Sequence, residues 1–85
     1  MTNKKRYTDT GAYLRMLRRM IRAAGNRIAH ADIADLVELI GIQADLNEAI
    51  RHAVAGLRAD GYSYADIGEA LGLTGQAVYY RYGKP

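Results

Sequence analysis

Residues 63–82 read SYADIGEALGLTGQAVYYRY, and this stretch decides the fold. It contains two short helical patterns, Tyr64–Leu71 and Gly75–Tyr82, separated by the tripeptide Gly72-Leu73-Thr74. Two helices joined by a turn of three or four residues with a glycine in it form a helix-turn-helix. The sequence therefore predicts this motif near the C-terminus of the chain.

The ends of both helical patterns carry residues that are suited to helix termini. Ser63 is a good N-cap for the first helix, and Asp66 three residues later completes a capping box. Gly72 stands where the first helix has to stop, because glycine adopts the left-handed conformation at little cost. Thr74 is a second good N-cap, so a new helix can begin at once.

A shared core is expected between the two helices, since their apolar side chains recur at helical spacing: Ile67, Leu71, Leu73 and Val78. Gly68 lies four residues before Gly72, where a larger side chain would block the close approach of the second helix. Tyr62 is expected to pack against Ile67 as a hydrophobic staple. Asp60-Gly61 is expected to end the preceding helix.

The run from Ala53 to Gly83 resembles the helix-turn-helix of bacterial DNA-binding proteins. The types it resembles most are the DNA-binding region four of sigma factors and small helix-turn-helix proteins of actinobacteria and their phages. The match covers roughly the last third of the chain and is carried by Ala65, Ile67, Gly68, Leu71, Gly72, Leu73, Thr74, Val78 and Arg81. In DNA-binding versions the second helix enters the major groove. Short helical hairpins with a turn glycine also occur as plain structural elements.

Length and composition indicate one small all-α domain, residues 1–85, with an N-terminal helix, a long middle helix and a C-terminal helix-turn-helix. The chain has no cysteine, Phe or Trp, and its single proline is the last residue. No apolar run approaches membrane-spanning length, and no apolar segment follows the basic N-terminus as in a secretory signal. The expected location is the cytoplasm, on the nucleoid, with no membrane partner.

Charge is distributed unevenly along the chain. Residues 1–27 carry eight basic side chains and one acidic side chain, a net charge of +7. Residues 28–60 have a net charge of −4, and residues 61–85 are neutral. If the helix-turn-helix binds DNA, the N-terminal segment therefore has to supply much of the attraction to phosphate.

Residues 1–8 are expected to form a flexible basic arm, either a solvated terminus or a tail along phosphates or in the minor groove. A helix is predicted from about Thr10 to Ala24, ended by Gly25-Asn26. One face of this helix is apolar, with Tyr13, Leu17, Met20, Ile21 and Ala24. Another face carries Arg15, Arg18, Arg19 and Arg22. These arginines are either a solvated face, which can pair with acidic groups on the next helix, or a phosphate-binding ridge.

One long helix is predicted from its N-cap candidate Asp32 to about Ala59. A heptad-like seam runs along it: Leu36, Leu39, Gln43, Leu46, Ile50, Ala53 and Leu57. The arginine-rich first helix and this carboxylate-rich helix are expected to form an antiparallel hairpin over residues 9–60 with complementary charge, and the seam also suits a dimer surface. A split near Gly41–Asp45 is the alternative, because Gly41 costs about 1 kcal/mol relative to alanine.

Base contacts are expected from the outer face of the second motif helix. With Val78 pointing inward, a rotation of about 100° per residue puts Gln76, Tyr80 and Gly83 on the opposite face and Tyr79 on its flank. The Gln76 amide can pair with adenine in bidentate fashion. The two tyrosines, Tyr79 and Tyr80, can pack on a thymine methyl group or donate a hydrogen bond to a phosphate.

Phosphate contacts are expected from Arg81, Lys84 and the Thr74 hydroxyl, together with the four arginines of the first helix. The resemblance carries DNA contacts over to Thr74, Gln76 and Tyr80. The sequence departs from the common pattern at Gly75, where a larger polar residue is more usual, and this argues against a base contact from that position. Tyr82 is assigned to the core, since the chain has no Phe or Trp to fill it.

No catalytic constellation is found in the sequence. His30 and His52 are isolated, and there is no nucleophile–base pair, no zinc spacing and no glycine-rich phosphate loop. We therefore predict a non-enzyme without metal or cofactor. The favoured hypothesis is a sequence-specific transcriptional regulator that binds double-stranded DNA as a homodimer. The alternative is a protein-interaction module, in which the long helix binds a component of the transcription machinery and the helix-turn-helix is scaffold.

Overall fold

Helices connected by short turns make up the described chain. The structure, a computed structural model, describes the backbone of residues 2–85 and the side chains of residues 9–85. These residues form four α-helices and a terminal π-helical segment: α1 (Thr2–Ile28), α2 (Ile33–Ala59), α3 (Tyr64–Leu71), α4 (Gly75–Val78) and the π segment (Tyr79–Gly83). None of them forms a strand, so the predicted all-α class is confirmed. In this part of the chain, no helix has both the length and the apolar character needed to cross a membrane.

Helix α1 begins earlier than the sequence predicts. Its first residue is Thr2 rather than about Thr10, so the expected flexible arm is helical from residue 2 onward. Lysine and arginine are good helix formers, and neither glycine nor proline interrupts residues 2–10, so the helix can begin well before Thr10. The side chains of residues 1–8, and any phosphate contacts they make, lie outside the described residues.

The end of α1 also differs from the prediction. Gly25-Asn26 does not stop the helix, which runs to Ile28, and the Ala29 N–H donates to the Gly25 carbonyl oxygen at 3.0 Å. Gly25 has no positive φ, so it does not adopt the left-handed conformation that ends a helix. A glycine inside a helix costs only about 1 kcal/mol, which a long helix can tolerate.

Helix α2 is a single helix, as predicted. The Asp32 carboxylate accepts a hydrogen bond from the Ala34 N–H at 3.2 Å and caps its first turn. The helix continues through Gly41, where an added Cβ would meet nothing within 4 Å. It stops at Asp60-Gly61, where Gly61 has a φ of 105° that only glycine adopts at little cost.

Two compact units divide the chain: an N-terminal unit, Met1–Ile40, and a C-terminal unit, Gly41–Pro85. The division falls inside α2. Three leucines of the predicted seam are exposed: Leu36 by 46%, Leu46 by 45% and Leu57 by 41%. The helical hairpin of residues 9–60 and the use of its seam as a dimer surface both stay predictions.

The core of the C-terminal unit takes one side chain from each of three helices: Val54 of α2, Ile67 of α3 and Val78 of α4. Partly buried side chains pack against these three: Ile50, Tyr64, Leu73 and Tyr82. The predicted core positions of Ile67, Leu73, Val78 and Tyr82 are therefore confirmed. The second half of α2 forms the third wall of this core, and the sequence did not predict this contribution.

Leu71 is the one predicted core residue of the motif that the structure places elsewhere. Its side chain is 53% exposed, because α3 ends at this residue and the chain turns away at Gly72. It lines an open apolar groove beside α3, which Leu57, Tyr62 and Ile67 also line. Tyr62 and Ile67 therefore share one surface, as expected of a hydrophobic staple.

Candidate nucleic-acid interface

The first helix of the motif is fixed at its N-terminus by the predicted capping box. The Ser63 hydroxyl accepts from the Asp66 N–H at 3.0 Å, and the Ser63 N–H donates to the Asp66 carboxylate at 2.9 Å. The second hydrogen bond, with a smaller contribution from the Ser63 hydroxyl, lowers the pKa of Asp66 below its ordinary value of 3.8. The start of α3 is therefore held by two reciprocal hydrogen bonds, one of them to a carboxylate.

The turn between α3 and α4 has the predicted form, in which α3 ends at Gly72 and α4 begins directly after Thr74. Gly72 has a φ of 72°, and the next N–H, that of Leu73, donates to the Gly68 carbonyl oxygen at 2.7 Å. The Thr74 hydroxyl then accepts from the Ala77 N–H at 3.0 Å and caps α4. The direction in which α4 leaves the turn is thus set by backbone conformation and by local hydrogen bonds.

Two glycines allow α3 and α4 to approach each other closely. A Cβ on Gly68 would collide with the Leu73 carbonyl oxygen, as the sequence suggested. Gly75 has the matching role from the other side, since a Cβ there would lie 2.9 Å from the Ala65 backbone nitrogen. Gly75 departs from the pattern of the resembled family, and this close approach is the physical reason for the glycine. A side chain at this position would push the two helices apart.

After Val78 the second motif helix widens into the π segment. The Lys84 N–H donates to the Tyr79 carbonyl oxygen at 2.8 Å, a hydrogen bond that spans five residues. Each residue of this wider turn rotates the chain by less than an α-helical residue does. Gly83 is therefore placed against the Tyr64 ring, where a Cβ would lie 2.6 Å from the Tyr64 hydroxyl oxygen. The prediction that put Gly83 on the outer face is wrong for this reason.

The outer face of α4 and the π segment carries the side chains that were assigned to base contacts. Val78 is fully buried, whereas Gln76 is exposed and Tyr80 is 57% exposed. Tyr79 lies on the flank with an exposed fraction of 38%. The assigned phosphate contacts of this unit are also exposed: Thr74, Arg81 and Lys84. The C-terminal unit therefore presents all six of these side chains at its surface.

Aromatic contacts connect this face to the rest of the C-terminal unit. The ring of Tyr79 meets those of Tyr64 and Tyr80 edge to face, each at a centroid distance of 5.5 Å. The Arg58 guanidinium lies 4.4 Å from the Tyr64 ring centroid, and the Lys84 ammonium lies 5.2 Å from that of Tyr80. A row of three tyrosines with a cation at each end thus supports the outer face.

Most of this aromatic row is not predictable from the sequence. The contact between Tyr80 and Lys84 had a local signal, since the two residues are four positions apart in a helix. The contact between Tyr64 and Tyr79 joins two helices, and the sequence carries no spacing rule that would reveal it. Arg58 also donates to the Tyr62 carbonyl oxygen at 3.1 Å, so it ties the end of α2 to the chain that enters α3.

The arginine ridge is not part of the same compact unit. Its members are exposed, follow one another at helical spacing along α1 and belong to the N-terminal unit: Arg15, Arg18, Arg19 and Arg22. The C-terminal unit contains four basic and five acidic side chains, so its net charge is −1. The surface that carries Gln76 therefore has little positive charge of its own unit to attract phosphate.

Searches for other functional groups and for relatives add no further assignment. Among the residues that the structure describes, no group of three or more His, Cys, Asp or Glu side chains is arranged to hold a metal ion. Comparison with protein-family models, with curated proteins and with solved structures gives no match to this chain.

Proposed function

We propose that this protein is a non-enzymatic, sequence-specific DNA-binding regulator of transcription. The recognition helix, residues 75–82, enters the major groove of double-stranded DNA with Gln76 and Tyr80 toward the bases and Tyr79 at their side. The protein acts as a homodimer on the nucleoid, in the cytoplasm. Two recognition helices then meet half-sites about 34 Å apart on an inverted repeat.

The observation that carries the proposal is the combination of a fixed helix and an exposed polar outer face. Two side-chain caps and two close-approach glycines set the position of α4 relative to α3. A recognition helix needs this rigidity, because a bidentate contact tolerates little displacement of the side chain that makes it. An ordinary structural hairpin needs no exposed Gln76 and Tyr80 on the side away from its core.

The chemistry of the outer face suits a groove of DNA. The Gln76 amide offers one donor and one acceptor, which match the N7 and N6 atoms of adenine. The Thr74 hydroxyl accepts from the Ala77 N–H and keeps its own hydrogen for a phosphate oxygen. Lys84 and Arg81 add positive charge at the other end of the helix, close to the flanking phosphates.

Affinity has to come largely from the N-terminal unit. The C-terminal unit has a net charge of −1, and binding to the DNA backbone depends on neutralising phosphates. The arginine ridge of α1 supplies four exposed guanidinium groups for this purpose. We therefore assign specificity to the recognition helix and most of the salt-dependent attraction to Arg15, Arg18, Arg19 and Arg22.

Selection of bound fragments from random DNA tests the recognition helix. Once a preferred site is known, Gln76→Ala should relax the preference at one base pair by on the order of 1–3 kcal/mol. Gln43→Ala is the matched control, because Gln43 is the only other glutamine of the chain and is exposed on α2. An unchanged preference in Gln76→Ala would show that the recognition helix is assigned wrongly.

The arginine ridge is tested by the salt dependence of binding. The double variant Arg18→Ala/Arg19→Ala should bind all sequences more weakly and reduce the slope of log K against log salt by about 1.8, for two lost phosphate contacts. Arg51→Ala removes an exposed arginine of α2 and should leave the slope nearly unchanged. Equal slopes for the two variants would contradict the assignment of phosphate binding to α1.

A protein-interaction module is the second candidate function, and one observation favours it. Large apolar side chains of α2 are exposed, among them Ile33 by 82%, Val37 by 70% and Ile40 by 58%. Such a surface suits a protein partner, for example a component of the transcription machinery. If the chain fails to bind mixed DNA fragments even at low salt, the DNA-binding proposal falls and this second function takes its place.

A further inference from the structure

Two exposed side chains at the centre of the outer face of the recognition helix differ in chemistry: Gln76 carries an amide and Tyr80 carries an aromatic ring. They are four residues apart, so helical rotation separates them by only about 40° and the helix rises about 6 Å between them. One base-pair step of DNA rises about 3.4 Å. When Gln76 reaches a base edge, Tyr80 therefore faces the same groove within about two base pairs.

The Tyr80 ring is held in place by two neighbours. It meets the Tyr79 ring edge to face at a centroid distance of 5.5 Å, and the Lys84 ammonium lies 5.2 Å from its own centroid. With both contacts made, the side chain is still 57% exposed. An ordered ring has less conformational freedom left to lose on binding, so its accessible part is a preorganised apolar surface.

The surroundings of this ring limit the base feature that it can recognise. The three residues between Gln76 and Tyr80 are uncharged: Ala77, Val78 and Tyr79. Guanine is read most often by arginine or lysine, and this part of the face offers neither. The apolar group that bases present in the major groove is the methyl group of thymine. A held aromatic ring at the centre of the face suits contact with such a methyl group.

We propose that Tyr80 is a specificity-determining residue that recognises the 5-methyl group of a pyrimidine, within about two base pairs of an adenine read by Gln76. Thymine carries this methyl group in an A·T pair, and 5-methylcytosine carries it at the same ring position in a G·C pair. This inference rests on the proposed DNA binding and deepens it, since it names the chemical group that the ring contacts.

Base analogues test the methyl contact on the wild-type chain. After a preferred site has been selected from random DNA, each thymine of one half-site is replaced in turn by uracil, which pairs with adenine but lacks the methyl group. One replacement, close to the adenine that Gln76→Ala identifies, should weaken binding about fourfold, the value of one buried methyl group. At the same position, 5-methylcytosine should bind about fourfold more tightly than cytosine. The two comparisons test the two natural sources of the methyl group separately.

Three variants connect the methyl effect to the ring. Tyr80→Ala should bind the thymine and uracil sites equally, because the ring is gone. Tyr80→Phe should keep the wild-type ratio, because it loses only the hydroxyl group. Tyr13→Ala is the matched control outside the recognition helix, since Tyr13 is 59% exposed, and it should also keep the ratio. The ratio is measured within each variant, so a general loss of affinity or of folded protein leaves it unchanged.

Four outcomes would overturn the inference. No uracil replacement weakens binding by the wild type; or 5-methylcytosine binds no better than cytosine; or the methyl effect persists in Tyr80→Ala; or Tyr80→Phe abolishes it, which would assign the contact to the hydroxyl group. Each of them leaves the proposed function intact, because a preferred site has been selected. A chain that selects no preferred sequence would instead overturn the proposed function, and the inference with it.

Discussion

The two units of this chain differ in how their helices are held. In the C-terminal unit, caps, a left-handed glycine and two close-approach glycines fix α3 and α4 over the buried Val54, Ile67 and Val78. In the N-terminal unit, none of residues 9–40 is buried, and Tyr13, Met20, Ile33 and Val37 are each more than half exposed. Both units have strong helical sequences, but among the side chains of residues 9–85 only those of the C-terminal unit include buried ones.

This difference shows that helix formation and tertiary packing are separate requirements. Helix α1 is long and composed largely of good helix formers, so it forms without a core of its own. Helix α3 has only eight residues, which is too short to be stable alone in water, and it depends on its caps and on the core. The short helices are therefore the ones whose stability depends on tertiary packing, while the long ones retain surface for partners.

Among the substitutions considered, Gly68→Ala is expected to change the stability of the C-terminal unit the most. The new methyl group would collide with the Leu73 carbonyl oxygen, which is backbone and cannot rotate away, so unfolding of the C-terminal unit should become easier by about 3 kcal/mol. Gly56→Ala is the matched control, because a Cβ there meets nothing within 4 Å and should stabilise α2 by about 1 kcal/mol. Denaturant unfolding followed by circular dichroism measures both changes. Equal stability of the two variants would mean that the α3–α4 contact is looser than described.

Amide hydrogen exchange should separate the two units in the unmodified protein. At concentrations where the chain is monomeric, residues 9–28 of α1 should exchange at least about tenfold faster than residues 50–59 of α2, because only the latter segment packs against a core. Equal protection in the monomer would show that the N-terminal unit is stabilised within a single chain.

The boundary between the units can be probed at Gly41. A Cβ at this position meets nothing within 4 Å, so Gly41→Ala should stabilise α2 by about 1 kcal/mol and slow amide exchange in residues 38–44. Gly56→Ala should give a similar gain in stability without slowing exchange in that segment. A destabilised Gly41→Ala variant would indicate that the chain needs a glycine where the two units meet.

The smallest expected effect concerns the pH dependence of the capping box. The folded pKa of Asp66 is lowered, so its contribution is present above the unfolded pKa, near 3.8, and is lost as the pH falls through the folded value. The difference in stability between the wild type and Asp66→Ala should therefore shrink as the solution is acidified below that range. Glu69→Ala is the control, since it removes an exposed carboxylate of the same helix that has no part in the box. A difference that does not change on acidification would contradict the assignment.

Much of the candidate site could be predicted because its determinants are local. Ser63, Asp66, Gly72 and Thr74 act within a few residues of their own positions, and each of them has the predicted conformation or hydrogen bond. The exposure of Gln76 and the burial of Val78 follow from helical rotation over two residues. The helix is wider from Tyr79 onward, so α-helical rotation no longer gives the direction of each side chain. The predicted position of Gly83 is wrong for that reason.

The remaining errors concern helix ends and contacts between helices. The boundaries of α1 were missed because neither an available cap nor a glycine compels a helix to start or stop. The exposure of Leu71 and the close approach of Gly75 to Ala65 depend on the path of the chain after the turn. No spacing rule within one helix contains that information.

The sequence by itself determined the all-α class, the limits of α3, the stop at Gly72 and the restart at Thr74, because these depend on backbone preferences and hydrogen bonds over three or four residues. Only the tertiary structure decided that α2 supplies the third wall of the core, that Gly75 is a contact point and that the chain divides at Ile40 and Gly41. These features depend on distances between segments far apart in the chain, which are set by the packing of whole helices rather than by the preferences of single residues.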